Sequence, residues 1–496
     1  MDATLYDDQH DEVFEDLISK LTGEQGQKSL ASGTNISDFW NYLKECETFF
    51  TSDNYKTGTY SHNMENMLSL YMLNYSIPKK LTTILRDFGL PQSTIKEGSI
   101  ESHPIWDGYV AGDGTLYAFA KYCQLDPMWT VVLVYYVWYK YLHPKGVHDF
   151  IKQPCITTFN SSSPDGARVA IIGDWGTGTY KDGQVHECPA QLVIDGIMAL
   201  DKVPDYIIHL GDVYYAGTRR EERKNLLGML PSHFNGKLFT MNSNHEMYDG
   251  ANGLYKETIH NSKFELQKGS TYFSLEIGDW VIVGLDSAFY DESFLYMDGA
   301  IFNKHGGQDQ VQFLQDKEQT ARAAGKQFMV LTHHNPIEYD GSALTDSKSN
   351  EGSLWEQVVV NALDGRIPDA WYWGHVHNGI VYDIPKLKEQ GKLPKITLKE
   401  GEKPKLRCCG HASMPYGEGT GLFNKETGKN NPGISYFGET PMNPPNPTLS
   451  QHLRVLNGFA VIDIGEGTFT ETFYEVSNEY PGGRPKPIWT TPKKPS

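Results

Sequence analysis

Residues 205–215 read DYIIHLGDVYY. An apolar run meets a glycine, then an aspartate and two tyrosines. The run is short and continuous rather than alternating, the pattern of a strand buried on both faces, and Asp212 falls just past its end. Four other segments repeat the layout: RVAIIG leads into Asp174 of GDWG (173–176), KLFTMNS into Asn244 of SNHE (243–246), KQFMVLTH into His334 of THHNP (332–336), and DAWYWG into His375 of GHVH (374–377). Open α/β sheets gather their functional groups outside the carboxyl ends of the strands. The five segments are therefore expected to converge on one crevice.

Helix-length stretches with apolar spacing near 3.6 separate these strands. From Gln308 to Ala324, Val311, Phe313, Leu314 and Ala321 form a stripe opposite Asp316, Glu318 and Arg322; Leu354 to Leu363 and Ala190 to Leu200 are two further helices. The pair TYFSLEIG and DWVIVGLDSA, joined at Gly278-Asp279, reads as an antiparallel hairpin. The strand, helix, strand rhythm predicts a layered α/β core.

The motifs supply carboxylates, an amide, a phenol and imidazoles, the inventory of two neighbouring metal ions. Asp212 is the natural bridge, since one carboxylate can hold two cations a few ångströms apart. Individually the motifs are weak: GDWG is often a turn after a strand, a lone His334 is more often a core histidine, and His333 competes with it. GHVH is the most specific, and the ordered set of five is more specific still.

This set resembles that of the calcineurin-like metallophosphoesterases over roughly residues 168–385, together with the closing strands GFAVIDIGEGTFTETFYE. The resemblance implies a four-layer αββα sandwich. Many members carry Asp-x-His in the first motif, but Gly176 stands there; instead Tyr215 completes Gly-Asp-x-x-Tyr, as in purple acid phosphatases. It implies one ion held by Asp174, Tyr215 and His377, the other by Asn244, His334 and His375, with Asp212 shared. His334 is preferred because the family pattern is His-x-Pro. A phenolate with carboxylates suits Fe3+, and the amide and imidazoles suit a divalent Fe, Zn or Mn. Ser243 replaces the usual glycine of Gly-Asn-His-Glu, which predicts a cost if the backbone there is left-handed.

The implied chemistry is phosphomonoester hydrolysis by a metal-activated hydroxide in line with the leaving group. His245 would stabilise the transferring phosphoryl group or protonate the leaving alcohol, with Glu246 orienting its ring; His186 and His333 are further candidates for substrate contact. The alternatives are a phosphodiesterase or nucleotide hydrolase with the same site, and a non-catalytic scaffold. Cys408-Cys409 beside His411 fit a mononuclear zinc site poorly and read as buried thiols.

The 496 residues predict more than one domain. Residues 1–150 read as all-helical, with stripes at Val13, Phe14, Leu17, Ile18 and Leu21 and at Phe39, Trp40, Leu43 and Phe50. Within them MWTVVLVYYVWYKYLH (128–143) is too short to span a bilayer, so it is expected as a core or interface helix that covers the catalytic domain or forms a dimer contact. The catalytic domain is expected over 165–476, with a loop-rich insertion at about 384–450 that shapes substrate access, followed by an extended tail, 477–496. Forty-four basic against 62 acidic residues give a net charge of −18, which repels polyanions and favours small phosphate esters over nucleic acid. The acidic start, MDATLYDDQHDE, lacks an apolar signal-like run, and six cysteines make no disulfide framework; the expectation is an intracellular site.

Overall fold

A computed structural model describes residues 144–159, 166–180, 188–302, 309–344, 352–392, 403–414, 422–424, 429–441 and 453–491, with Val132, Tyr135, Tyr136, Tyr139 and Lys140 upstream. The remaining helices expected in residues 1–131, and His186, lie outside the described residues.

In chain order the strands of the two principal sheets are β1 (Cys155–Phe159), β2 (Ala167–Ile172), β3 (Tyr206–His209), β4 (Lys237–Thr240), β5 (Phe273–Ile277), β6 (Trp280–Gly284), β7 (Gln327–Thr332), β8 (Ala370–Trp373), β9 (Gly379–Tyr382), β10 (Lys405–Cys409), β11 (Ile434–Phe437), β12 (Gly458–Gly465), β13 (Thr468–Glu475) and β14 (Lys486–Thr490). One sheet has the order β1-β5-β6-β7-β8-β10-β9-β11, the other β14-β13-β12-β2-β3-β4. β2, β3 and β4 run parallel in one sheet, and β6, β7 and β8 in the other.

Their continuous apolar stretches are buried on both faces because each sheet is covered twice. Between the sheets, Val169, Ile171, Ile208 and Phe239 meet Leu275, Ile282, Met329 and Tyr372. Outside one sheet, α1 (Pro189–Met198) packs Val193, Ile194 and Ile197 on Ile207 and Val461. Outside the other, Val311, Leu314 and Ala321 of the long helix Asp309–Ala323 join Leu354 and Val358 on Val330 and Trp371. This is the four-layer sandwich. The expected hairpin forms at Gly278, whose φ of +52° suits glycine.

Four expectations are corrected. Glu318, expected on the solvent side of its helix, is buried, paired with Arg322 and Arg366 at 3.1 Å each. The segment 384–450 is more than loop: Lys405–Cys409 enters the larger sheet between β8 and β9. The tail adds an edge strand, because Lys486–Thr490 pairs antiparallel with β13. Cys155–Phe159, upstream of the expected domain start, pairs parallel with β5. Cys408 and Cys409 are buried free thiols on β10, as read from sequence. Next to them Arg407 pairs with Glu471 of the opposite sheet at 2.8 Å, and Tyr372 donates to the same carboxylate at 2.5 Å. This buried triad ties the sheets together at a fixed offset. Among the described residues no helix is long and apolar enough to cross a membrane.

Candidate metal centre

The carboxyl ends of β2, β3 and β4 meet those of β7 and β8 along one edge of the sandwich, and the five motifs converge there. Asp174, Asp212, His375 and His377 all have positive φ, 57°, 77°, 67° and 51°. Left-handed backbone at a non-glycine residue costs roughly 1–3 kcal/mol and persists only where the surroundings impose it. Its recurrence at four of the expected ligands marks a site assembled against local preference. Glycines make the approach possible: a Cβ on Gly374 or on Gly410 would lie 2.6 Å from Asp174 Oδ2. The His375 amide donates to that oxygen at 2.9 Å.

Two donor clusters result. In the first, ligand atoms of Asp174, Asp212 and His377 lie within 4.8 Å of one another. The phenol that reaches them belongs to Tyr214, not Tyr215: its hydroxyl donates to Asp212 Oδ2 at 2.8 Å and lies 2.9 Å from His377 Nε2. Tyr215 contributes its backbone instead, its amide donating to Glu221 at 2.6 Å and its carbonyl accepting from His245 Nδ1 at 2.6 Å.

The second cluster is His333, His334 and His375. His333 Nε2 lies 2.8 Å from Asn244 Oδ1, 3.2 Å from His375 Nδ1 and 3.2 Å from Asp212 Oδ1. Its Nδ1 faces the Leu210 carbonyl at 2.9 Å. A carbonyl only accepts, so Nδ1 carries the proton and Nε2 presents a lone pair to the cluster, as metal-ligating histidines do. His334 sits deeper. Its Nε2 donates to the Tyr296 carbonyl at 2.7 Å, and Nδ1 is 2.8 Å from Ser287 Oγ. Both its nitrogens are engaged with protein in this geometry, while it remains within the three-histidine cluster.

The electrostatics fit a cation at each cluster. Burial, then the neighbouring Asp212, pushes the Asp174 carboxyl well up. For Asp212 burial acts in the same direction, but His245, His333 and its hydrogen bonds outweigh it and hold it well below the usual range. Two buried carboxylates side by side resist joint ionisation, and a cation removes that conflict. Burial drives His375 well down and His333 to about 3, so both rings are neutral donors of a lone pair. Carboxylates, a phenol, an amide oxygen and neutral imidazoles are together an oxygen and nitrogen donor set for divalent or trivalent first-row metals.

Three details differ from the sequence reading. Ser243 has φ −137°, ordinary extended backbone, so the missing glycine costs nothing there. Its Oγ accepts from the His245 amide at 3.0 Å and lies 2.5 Å from Asp212 Oδ1. Glu246 does not orient the His245 ring; it accepts from the Val213 amide at 2.9 Å and contacts Ser243 Oγ, bracing the turn that carries Asp212. The His245 ring is held by the Tyr215 carbonyl, with Nε2 3.9 Å from Asp212 Oδ2. The Glu222 and Asp249 carboxyls, buried beyond this turn and pushed up by burial, had no sequence signal.

The layers and the paired clusters are consistent with a metallophosphoesterase. The calcineurin-like phosphoesterase family profile matches residues 167–379. No curated protein matches the sequence. Among solved structures the chain is similar to a purple acid phosphatase from yellow lupin (Lupinus luteus) seeds, at 15% identity over 63% of this chain and 52% of that one, TM-score 0.40. It is also similar to GAP50, the anchor in the inner membrane complex of Plasmodium, at 14% identity over 66% of this chain and 88% of that one, TM-score 0.39. The chain thus spans about half the length of the lupin enzyme.

Proposed function

We propose that the chain is a binuclear phosphoric monoester hydrolase. The observation that carries this reading is the placement of Asp212: Oδ2 faces the cluster of Asp174, Tyr214 and His377, and Oδ1 faces His333 with Asn244 and His375. One carboxylate turned to both donor sets is the arrangement a shared ligand requires. When bound, two cations polarise a phosphoryl group and lower the pKa of a water molecule. Asp174, Tyr214 and His377 would hold one of them, Asn244, His333 and His375 the other, and His334 would buttress the second set. Fe3+ with divalent Fe, Zn or Mn suits this division, and Tyr214 takes the place expected for Tyr215.

The chain's own groups do the rest. His245 directs Nε2 towards the gap beside Asp212, where it contacts a phosphoryl oxygen or delivers a proton to the leaving alcohol. Glu246 and Ser243 keep the Asp212 turn in place. His377 keeps 23% of its side chain exposed, which supports approach of a small phosphate ester from the GHVH side. The test is parallel turnover of aryl phosphate monoester and diester by protein resupplied with metal, beside Asp212→Ala. Monoester turnover lost in the variant supports the reading. Diester preference with manganese or zinc favours a phosphodiesterase, and turnover unaffected by Asp212→Ala favours a scaffold.

A further inference from the structure

The loop after β6 has two working faces. Towards the metal centre, the Leu295 carbonyl accepts from the Tyr248 hydroxyl at 3.2 Å, and the Tyr296 carbonyl accepts from His334 Nε2 at 2.7 Å. Gly299 rests on the same histidine, since a Cβ there would lie 2.7 Å from His334 Cβ. Away from the centre, the loop is gripped by the aromatic segment far upstream. The Leu295 amide donates to Tyr136 Oη at 3.1 Å. Lys140 Nζ donates to the carbonyls of Glu292 and Ser293 at 3.1 and 2.6 Å and lies 4.3 Å from the centre of the Tyr296 ring. The Tyr136 ring packs edge-on against Tyr296 and Tyr248, with centroids 5.3 and 6.1 Å away.

Consequences for Asn244 follow from hydrogen-bond polarity. A carboxamide offers an acceptor on one side and only donors on the other, so a flipped Asn244 would present N–H groups to a cation. Its orientation is set by Tyr248, whose hydroxyl accepts from Asn244 Nδ2 at 3.0 Å while Oδ1 faces His333. The Tyr248 hydroxyl has a single hydrogen, and that hydrogen is directed to Leu295. Without the Leu295 carbonyl it is free to turn towards the amide oxygen and compete for it. Leu295 and Tyr296 both have φ of +53°, an unfavourable pair of left-handed residues that the surrounding bonds must impose.

We propose that Tyr136 and Lys140, which lie outside the matched phosphoesterase domain, are positioning residues of the metal centre: they hold Leu295 and Tyr296 so that Tyr248 fixes the Asn244 carboxamide and Tyr296 fixes His334. The proposal rests on the functional reading above, because it takes Asn244 as a ligand. The upstream aromatic segment is then a fixed part of the catalytic unit. Tyr139 reinforces it, its hydroxyl bonding the Asp249 carboxylate at the end of the helix that begins with Asn244.

The experiment uses the full chain and the variants Tyr136→Phe and Lys140→Met, both of which keep most of the packing volume. Tyr382→Phe is the control; it removes one buried phenol bond, to the Tyr339 carbonyl, away from the loop. Manganese titration, hydrogen exchange at the Leu295 amide and turnover of an aryl phosphate are measured. Supporting outcomes are about tenfold weaker binding of one of two ions in both loop variants, faster exchange at Leu295, and a fall in kcat with KM little changed. The control behaves as the wild type. In a Tyr248→Phe background the Tyr136→Phe effect largely disappears, because the two residues act through one relay; additive effects overturn the relay. A loaded, active wild type with unaltered loop variants overturns this proposal alone. A wild type that binds no manganese overturns the functional reading and the proposal with it.

Discussion

The Tyr214 hydroxyl donates to Asp212 Oδ2 at 2.8 Å, placing a phenol between the shared carboxylate and His377. Burial, then Asp212 and Asp174, holds this phenol well above its ordinary pKa, so it is a neutral donor unless a cation displaces the proton. In iron-loaded protein Tyr214→Phe is expected to abolish any visible charge-transfer absorption and to weaken one ion. Tyr215→Phe is expected to keep both. Absorption spectra and iron content of the two variants decide between them, and the opposite pattern would return the ligand role to Tyr215.

His333 and His334 separate by the same logic. With Nδ1 protonated against Leu210, His333 presents Nε2 to the cluster, and on the proposed function His333→Ala should lose the second ion. His334→Ala should retain two ions with roughly 10- to 100-fold lower activity or affinity, the usual cost of removing an outer partner. Metal analysis after dialysis reads the difference.

His245→Ala should leave metal content unchanged and lower kcat by about 10²- to 10⁴-fold, the range for a positioned acid or base. Metal loss in this variant would mean that the ring supports the centre rather than the reaction.

Ser243→Gly tests the departure from the family motif. Extended backbone at this position gains nothing from glycine, whereas the hydroxyl caps the helix that starts at Asn244. The variant is expected to lose roughly a few tenths of a kcal/mol of stability, measured by chemical denaturation. A Ser243→Gly variant more stable than the wild type would contradict the cap.

His411 makes stability depend on pH. Burial lowers its pKa from 6.5 to about 3, so the folded chain keeps it neutral while the unfolded chain protonates it. Its contribution is intact above pH 6.5 and is lost as pH falls towards 3, at about 1.4 kcal/mol per pH unit, or about 2 kcal/mol by pH 5. Denaturation of His411→Gln at pH 7 and pH 5, beside the wild type, should show a correspondingly shallower loss. An equal slope in both would show that other groups carry the acid sensitivity.

The sequence by itself determined the sandwich and the neighbourhood of the site. Continuous runs such as YIIHL and FMVL can be buried only between layers, and each ends in a polar motif, so convergence followed from strand direction alone. The stripe from Val311 to Ala321 and the turn at Gly278 were equally local, and both formed, with buried Glu318 the departure on the helix. Tertiary structure decided that Tyr214 rather than Tyr215 reaches the centre, and how His333 and His334 divide their hydrogen bonds there. Tyr214 and Tyr215, like His333 and His334, are chemically identical neighbours, and only the left-handed backbone imposed at Asp212 and the bonds from Leu210 and Tyr296 choose between them. Tertiary structure also recruited Tyr136 and Lys140, 159 and 152 positions from Leu295 and Glu292. Periodicity reports a residue's own element; a hydrogen bond across that distance depends on where two elements come to rest, which no local pattern encodes.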